Sequence, residues 1–325
     1  MNDKPYSIRQ DQQEEYKKMI LNAMEQAKDQ KIRFTTGWAS DLINNGWPVR
    51  LQGSEWVPYR GINIIWLNMF AVANGFTSNQ FATIRGWKRL HGDAVKAKEN
   101  QKATISIFAM PSKGSKTDPK TGDVEEFAYY IYKCNYVYNR DQIEGLPVES
   151  KNEIEDQLIE FNHEVTEQYL NAQNVKVTHG HNGAFYNSND DYIGMPDKTS
   201  FTGTDQLGSM ETYYSTLCHE HVHATGHKSR LARPTFTKKT RTGKADYALE
   251  ELVAEIGSAL LCAKLGILAD PQNQLKDHGA YLNGWIKHVK ESKAKALFSS
   301  FAKATAAIEY MDKQQGNNQL ELDVA

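Results

Sequence analysis

The apolar positions in the first half of the chain form one long run and two strand-like stretches. The run INIIWLNMFAVANGF at 62–76 is almost continuous, which is typical of a buried helix. The segments TISIF at 104–108 and FAYYIYKCNYVYN at 127–139 are rich in β-branched and aromatic residues, and they predict two strands that pair as a hairpin. The connector at 111–126 is rich in Lys, Gly, Ser and Pro, so we expect weak order there.

The second half of the chain has a more helical pattern. A short strand is predicted at 175–179 (VKVTH), and helical segments are predicted at 209–226, 246–267 and 275–311. The composition turns acidic after Gly145, Leu146 and Pro147, which places a domain boundary near residue 148. Because 325 residues exceed the usual size of one domain, we predict an α+β protein with two domains, residues 1–148 and 149–325.

The apolar and cysteine content indicates the compartment. The most apolar later stretch, SALLCAKLGIL at 258–268, is too short to cross a bilayer and is interrupted by Lys264. The N-terminal residues are polar and have no signal-peptide pattern. The three cysteines are odd in number and widely spaced, which argues against a disulfide framework. We therefore expect a cytoplasmic protein with no membrane partner.

The net charge of −2 conceals an uneven distribution of charge. Residues 31–110 contain ten Lys and Arg against four Asp and Glu, so this stretch carries +6 and the remainder −8. The same stretch holds five of the six tryptophans. Single-stranded nucleic acid is bound by positive charge along its backbone and by aromatic rings that stack on its bases. We therefore predict that residues 1–148 form a basic, Trp-rich domain that binds single-stranded DNA.

The candidate DNA-binding residues lie mainly in the most basic segment, residues 85–102. They are Arg60, Arg85, Trp87, Lys88, Arg89, Lys96, Lys98 and Lys102. An alternative interpretation is that the tryptophans belong to the core and the cations form an ordinary solvated surface. Composition alone leaves both interpretations open.

The segment LCHEHVHATGHK at 217–228 contains the HExxH pattern, with His219, Glu220 and His223. Residues four apart lie on one face of a helix, so the two imidazoles can bind the same metal ion. Glu220 is then the general base that takes a proton from a metal-activated water. Zn²⁺ is the expected ion, and another divalent metal is the alternative. The competing interpretation is a surface helix that carries a stripe of histidines.

A third ligand must come from elsewhere in the chain, because Ser229 stands where the longer motif HExxHxxGxxH has a histidine. The predicted helix at 247–261 offers Glu251 and Glu255, again four residues apart. Its ExxAE pattern resembles the ExxAD helix of gluzincin metallopeptidases, which implies that Glu251 binds the metal and Glu255 orients a ligand imidazole. Glu255 lies nearer the apolar face of the helix, so the reverse assignment stays open. Glu250 is expected to be solvated.

Several segments, in the same order, resemble the ArdC-type antirestriction proteins of plasmids and phages. The matching segments are YRGINIIWL (59–67), FATIRGWKRLHGDAVKAKENQKATISIF (81–108), YVYNRDQIEGLP (136–147), DYIGMP (191–196), YYSTLCHEHVHATGHKSRLAR (213–233) and YALEELVAEIGSALL (247–261). The resemblance implies an α+β DNA-binding domain followed by a zincin-like metallopeptidase domain that carries the HExxH helix. It also implies protection of incoming DNA from host restriction enzymes.

By this resemblance His219, His223 and Glu251 are metal ligands and Glu220 is the base. The family tends to have an apolar residue at the position of His221, so we expect this histidine to lie outside the ligand face and to affect solubility only. The predicted function is an antirestriction protein that binds single-stranded DNA and is a zinc metallopeptidase, with a DNA-bound protein such as a restriction enzyme as a possible substrate. The alternatives are a non-catalytic DNA-coating protein with a structural or vestigial metal site, and a protease for DNA–protein crosslinks.

Overall fold

The structure is a computed structural model of the chain. It describes residues 286 and 290, scattered positions between 6 and 42, and the ranges 46–117, 124–147, 161–203, 208–237, 244–267 and 294–315. The tip of the predicted hairpin connector, at 118–123, lies outside the described residues. Most of the first part of the third predicted helical segment, 275–293, also lies outside them.

The chain divides into two compact units. The first unit consists of Met1–Tyr16 and Trp47–Val148, and the second of Lys17–Gly46 and Glu149–Ala325. An N-terminal segment therefore belongs to the second unit. There, the ammonium group of Lys17 donates to the carbonyl of Lys290 at 2.9 Å, and Lys290 forms an ion pair with Glu25 at 2.7 Å.

The first unit is built on a six-stranded sheet. Its strands and helices, in chain order, are β1 (Tyr6–Ser7), β2 (Val49–Gln52), β3 (Glu55–Pro58), α1 (Ile62–Ala73), β4 (Gln80–Ala82), α2 (Ile84–His91), β5 (Lys96–Ala97), β6 (Thr104–Thr117), β7 (Val124–Asn139) and β8 (Ile143–Glu144). The strand order is β1-β7-β4-β2-β3, with β6 also paired to β7. Strands β2 and β4 are parallel, and the other pairs of the sheet are antiparallel. Strands β5 and β8 form a separate antiparallel pair.

The predicted hairpin is present and is longer than its sequence pattern indicates. Strands β6 and β7 pair without interruption from Thr104 opposite Val137 to Thr117 opposite Val124. The ladder therefore continues through residues that were predicted to be a weakly ordered connector. The reason is that the hydrogen bonds of an antiparallel ladder come from the backbone, so pairing can extend through Lys, Gly and Ser once the register is set.

The predicted buried helix of the first unit is confirmed as α1. Ile64, Ile65 and Leu67 are fully buried in it. The helix is attached to strand β6 by Asn63, whose side chain accepts from the backbone N–H of Ile107 at 2.7 Å and donates to its carbonyl at 2.5 Å. One amide side chain thus satisfies both backbone groups of a strand residue, as buried backbone groups require.

The second unit combines a small sheet with long helices. Its elements, in chain order, are α3 (His163–Asn171), β9 (Lys176–Thr178), β10 (Phe185–Asn187), β11 (Tyr192–Gly194), α4 (Ser209–Ala224), α5 (Pro234–Thr237), α6 (Lys244–Lys264) and α7 (Ala294–Lys313). Strand β11 lies in the middle of the sheet, antiparallel to β10 and parallel to β9. Helix α6 packs against both α4 and α7.

Helix α4 is buried along most of its length although its sequence is polar. Two of its hydroxyl groups are satisfied within the helix, because Ser215 and Thr216 both donate to the carbonyl of Thr212, at 3.2 and 3.0 Å. Helix α6 approaches α4 closely at Gly257, where an added Cβ would lie only 2.8 Å from a methyl group of Val222. This glycine allows the short distance between the two helices that carry the candidate metal ligands.

The predicted α+β class with two domains is confirmed by this arrangement of helices and sheets in two units. Within the described ranges, no helix has the length and apolar character needed to cross a membrane. All three cysteines are buried free thiols.

Candidate metal centre

Helix α4 positions the residues of the HExxH pattern. It begins after Gly208, whose backbone N–H donates to the carboxylate of Glu211 at 2.7 Å, so that an acidic side chain caps its first turn. His219, Glu220 and His223 lie in its last two turns and are all buried. Burial of three polar side chains in consecutive turns requires partners, and helix α6 supplies those of the two histidines.

The two imidazoles and one carboxylate of α6 converge on a common point. The Nε2 atoms of His219 and His223 lie 3.2 Å apart, and each lies 3.5 Å from a different carboxylate oxygen of Glu251. Ligand atoms around a tetrahedral zinc ion, at ~2.0–2.2 Å from it, lie roughly 3.3–3.6 Å from one another. Each imidazole therefore lies at about this distance from Glu251, through a different oxygen, and one ligand atom from each of the three side chains lies within 4.8 Å of the other two. Among the described residues they form the one such cluster.

Glu255 lies on the other side of the His219 ring. Its carboxylate is 3.8 Å from Nδ1 of His219, whereas Glu251 faces Nε2 of the same ring. The helical wheel left the roles of these two residues open. The structure brings Glu251, and not Glu255, to the point where the two Nε2 atoms meet.

Glu220 is buried beside this cluster and accepts a hydrogen bond from the backbone N–H of Tyr186 in strand β10. Burial raises the pKa of Glu220, against the opposing charges of His219 and His223. A carboxylate whose pKa is raised is a stronger base, which suits Glu220 to take a proton.

The buried carboxylates also control the protonation of His223. Burial alone lowers its pKa, but the neighbouring Glu251 and Glu250 outweigh burial and raise the pKa to about 10 in the metal-free protein. The reciprocal effect holds the pKa of Glu251 below its ordinary value, against the effect of burial. The carboxylates therefore favour the protonated form of the His223 ring in the metal-free protein, and a metal ion would have to displace that proton.

Glu250 corrects the sequence-based expectation. It was predicted to be a solvated helix residue, but it is buried. Its two carboxylate oxygens each lie 3.0 Å from Nε of Arg233, and one of them lies 3.4 Å from Nδ1 of His223. Sequence reasoning missed Arg233. An arginine shortly after a helix end is a known stabilising arrangement, but it is too common to identify a site.

His221 is a second correction. As predicted, it lies outside the ligand face, but it is buried and therefore does not act through solubility. Burial lowers the pKa of His221 to about 3, so its imidazole is neutral. Its ring lines a cavity of about 260 Å³ together with Tyr213, Tyr214 and Lys198. This cavity lies on the face of α4 opposite to the metal cluster.

Two aromatic side chains near the cluster were also missed by sequence reasoning. The ring of Phe236, in α5, lies 6.4 Å from that of His223 and 5.8 Å from that of Tyr186. The hydroxyl of Tyr186 donates to Asp191 at 2.7 Å and accepts from Arg230 at 3.0 Å. The rings of Tyr186 and Phe236 therefore border the metal cluster, and the ion pair of Arg230 with Asp191 holds Tyr186 in place. No periodicity in the sequence brings α5 and β10 together.

The predicted DNA-binding cations are spread over α2, β5 and the segments next to them. Of these, Arg60, Arg85, Arg89, Lys96, Lys98 and Lys102 are exposed and Lys88 is half-buried. Some of them are also tied to the fold: Lys96 pairs with Glu144 at 2.8 Å, and Lys98 donates to the carbonyl of Asp141 at 2.8 Å. These contacts hold the cations in defined positions on the first unit.

Trp87 is not available to stack on a base, which corrects its inclusion among the DNA-binding residues. Its exposure is 0%, and its indole N–H donates to the carbonyl of Tyr138 at 3.2 Å. It packs in a cluster with Val95 and Ile143. The exposed aromatic ring that the structure describes in this unit is instead Tyr136, at 43% exposure on strand β7.

Two family models match successive parts of the chain. Residues 10–138 match the N-terminal domain of anti-restriction factor ArdC, and residues 164–303 match a zincin-like metallopeptidase. The second match includes His219, Glu220, His223 and Glu251. The chain is an ArdC-type protein. The family predicted from its motifs is thereby confirmed.

Solved structures of the antirestriction ArdC protein from the R388 plasmid resemble this ArdC-type protein over most of its length. The metal-free crystal structure is 27% identical, covers 87% of this chain and 98% of that one, and has a TM-score of 0.62. The Mn(II)-bound crystal structure is 25% identical, covers 94% and 99%, and has a TM-score of 0.66. A solved protein with this fold thus binds a divalent metal.

Sequence relatives of the ArdC-type protein include an uncharacterized protein, y4eC, of Sinorhizobium fredii (strain NBRC 101917 / NGR234). It is 29% identical over 276 residues, which cover 84% of this chain and 83% of that protein. DNA primase TraC of Escherichia coli is 32% identical over 247 residues, which cover 72% of this chain and 21% of TraC. The chain therefore spans about a fifth of TraC, and the likeness concerns one part of that primase.

Proposed function

We propose that this ArdC-type protein acts in antirestriction as a zinc-dependent peptidase that binds single-stranded DNA. Residues 149–325 would carry the peptidase site and residues 1–148 the DNA-binding site. The observation that carries the proposal is the convergence of His219, His223 and Glu251, with one ligand atom from each within 4.8 Å of the other two, beside the buried Glu220. The match to a zincin-like metallopeptidase supports the same chemistry.

The donor set fits Zn²⁺, with His219, His223 and Glu251 as the residues that would hold it. Two imidazoles and one carboxylate leave a fourth position open, which is the composition of catalytic rather than structural zinc sites. When bound, Zn²⁺ would lower the pKa of a water molecule and polarise the carbonyl of the scissile peptide bond. Glu255 would orient the His219 ring from its Nδ1 side.

Glu220 is the proposed general base. Its carboxylate takes one proton from the attacking water, whose oxygen forms a bond to the carbonyl carbon of the peptide. It then gives that proton to the amide nitrogen as the C–N bond breaks, so one water is consumed for each peptide bond cleaved. The raised pKa of Glu220 makes its carboxylate a stronger base for taking the proton, and the backbone N–H of Tyr186 holds the carboxylate in place.

DNA binding is proposed for the exposed cations of the first unit together with Tyr136. The cations would follow the phosphate backbone, and the exposed ring of Tyr136 would stack on an unpaired base. The match to the N-terminal domain of ArdC and the likeness to a DNA primase support a DNA partner. DNA held by one unit would raise the effective concentration of the peptidase near proteins bound to the same DNA.

The test compares the wild-type protein with Glu220→Gln, which removes the base but leaves the metal ligands in place. The readouts are cleavage of a DNA-bound protein, with and without single-stranded DNA, and survival of incoming DNA in a restricting host. We expect a loss of cleavage and of protection in Glu220→Gln. Glu164→Gln, at an exposed position of α3, is the matched control and should behave as wild type.

The outcomes separate the proposed function from its rivals. Protection that survives in Glu220→Gln would support the DNA-coating alternative, because catalysis would then be dispensable. Cleavage that is confined to proteins covalently linked to DNA would indicate a protease for DNA–protein crosslinks. Cleavage that needs no DNA would remove the proposed link between the two units.

A further inference from the structure

Arg233 and Glu250 form an ion pair inside the second unit. Both side chains are buried, with 4% and 3% exposure. The guanidinium Nε lies 3.0 Å from each carboxylate oxygen, and Nη2 makes a further contact with Oε1. Because unpaired charges are strongly disfavoured in the interior, each residue needs the other.

The remaining donors of Arg233 bind the C-terminal end of the metal helix, α4. Nη2 donates to the carbonyls of Val222 and His223, at 2.7 and 3.3 Å. Nη1 donates to the hydroxyl of Thr225 at 2.6 Å. These carbonyls lie in the last turn of the helix, where a positive charge is favourable, and they also accept from the hydroxyl of Thr225 and the N–H of Gly226. Arg233 therefore holds in place the backbone that carries His223.

Gly226 makes this approach possible. An added Cβ at this position would lie 2.7 Å from Nη2 of Arg233 and 2.5 Å from the ring of Phe236. Any side chain larger than glycine would therefore displace the guanidinium group or the aromatic ring from the end of α4. The close approach of Arg233 and Phe236 to this turn therefore requires glycine at position 226.

Glu250 connects the ion pair to the metal cluster through the far side of the His223 ring. Its Oε1 lies 3.4 Å from Nδ1 of His223, while Nε2 of the same ring faces Glu251 and His219. An imidazole that binds a metal ion must first lose its second proton, and the neutral ring then carries its proton on only one nitrogen. If Nδ1–H points to Glu250, the lone pair of Nε2 is left for a metal ion.

We propose that Arg233 and Glu250 act as a positioning pair, which fixes the Nδ1–H form of His223 and thereby sets the metal affinity of the site. This inference rests on the proposed metal site. Arg233 and Glu250 do not bind the metal themselves; they support the ligand set by acting through His223. The pair is electrically neutral, so it orients the ring without adding net charge to the cluster.

The contact of His219 provides a comparison within the same site. Nδ1 of His219 is 3.8 Å from Glu255, which is longer than the contact of His223 with Glu250. The carboxylate of Glu250 is itself held by its ion pair with the guanidinium group of Arg233. We therefore expect the orientation of His223 to be more strongly fixed in the metal-free protein than that of His219.

The experiment measures Zn²⁺ affinity by competition with a chromophoric chelator, in the full-length wild type and in Glu250→Gln. Residues that orient a metal ligand typically change metal affinity by ~10–100-fold when they are mutated, and we expect a loss in this range. The control is Asp312→Asn. Asp312, on α7, is paired with Lys264, which lies on α6 as Glu250 does, and removal of its charge should change the affinity less than about twofold. Thermal unfolding of the metal-free proteins is recorded in parallel.

A second measurement reports on the ring itself, and its wild-type part does not depend on how well a variant folds. Long-range ¹H–¹⁵N spectra of the Zn²⁺-loaded wild type, labelled at histidine, should show His223 protonated at Nδ1 and bound through Nε2. In Glu250→Gln, and more weakly in Arg233→Lys, the Nδ1–H resonance should move upfield, because the acceptor becomes a neutral amide oxygen in the first variant and is displaced in the second.

Three results would overturn the inference. In the first, Glu250→Gln lowers the unfolding temperature but binds Zn²⁺ like the wild type, so that the ion pair only stabilises the fold. In the second, the wild-type spectrum shows His223 bound through Nδ1, which contradicts the inference even if no variant can be purified. In the third, the wild type takes up no Zn²⁺; the proposed function then fails as well, which distinguishes this case from the first two.

Discussion

The two units differ in how their chemistry is encoded. In the second unit, the candidate site follows from the spacing of a few residues on two helices. In the first unit, the candidate site was inferred from composition, that is, from an excess of cations and tryptophans. The spacing led to side chains that meet in space, with His219, His223 and Glu251 within 3.5 Å of one another. The candidate residues chosen from composition included Trp87, which is fully buried.

This difference has a simple physical cause. Helical periodicity determines which side chains share a face, so a pattern such as HExxH already contains geometry. Composition contains no geometry, because the same tryptophan can lie in a core or on a surface. A large aromatic ring gains most free energy when it is buried, so burial is the more frequent outcome unless something prevents it.

The largest expected effect tests the spacing argument on helix α4. His223→Ala should weaken Zn²⁺ binding by more than ~100-fold, because loss of a ligand should exceed the effect of losing a residue that only orients one. His221→Ala is the matched control, since His221 lies two residues away on the opposite face of the same helix. Its metal content, measured by elemental analysis, should equal that of the wild type.

Equal loss of metal in the two histidine variants would contradict the assignment of the ligand face. It would instead indicate that any histidine of this helix is needed for the fold.

The next effect concerns the correction at Trp87. Trp87→Ala should destabilise the first unit by about 3–5 kcal/mol, because it removes a large buried side chain and leaves a cavity. Denaturant unfolding followed by circular dichroism measures this loss. Trp87→Phe fills part of the same space, so it should cost less and leave the affinity for single-stranded DNA unchanged.

A Trp87→Phe protein that folds normally but no longer binds DNA would overturn the core assignment. The indole would then have to become exposed when DNA binds.

The smallest effect sharpens the proposed DNA-binding surface. Tyr136→Ala should weaken binding of a fluorescent single-stranded oligonucleotide by roughly 5–150-fold, since one base stack contributes ~1–3 kcal/mol. Anisotropy titrations measure the affinity, and log Kd should depend on log salt with a slope of roughly 0.7 for each neutralised phosphate. Tyr136→Phe keeps the ring and should retain most of the affinity.

The control for this variant is Phe185→Ala, which removes an aromatic ring of 36% exposure from the second unit. It should not change DNA affinity. If both variants bind DNA like the wild type, base stacking on Tyr136 is excluded and binding is left to the cations.

The sequence predicted the elements better than their ends. The buried helix α1 and the β6–β7 pairing follow from apolar runs and β-branched residues, and both are present. The extension of the hairpin to Thr117 and Val124 did not follow, since its backbone ladder passes through residues with low strand preference. Within the site, the HExxH residues were identified, whereas the choice between Glu251 and Glu255 remained open because both lie near one face of helix α6.

What the sequence by itself determined is therefore local: two imidazoles on one helix face, and a helix with two glutamates four residues apart. Only the tertiary structure decided which glutamate meets the Nε2 atoms, that Glu250 is buried against Arg233, and that Trp87 is in the core. The physical reason is distance along the chain. Residues within one or two helical turns are placed by backbone geometry alone, whereas contacts such as Arg233 with Glu250 depend on how separate elements pack, which no single periodicity encodes.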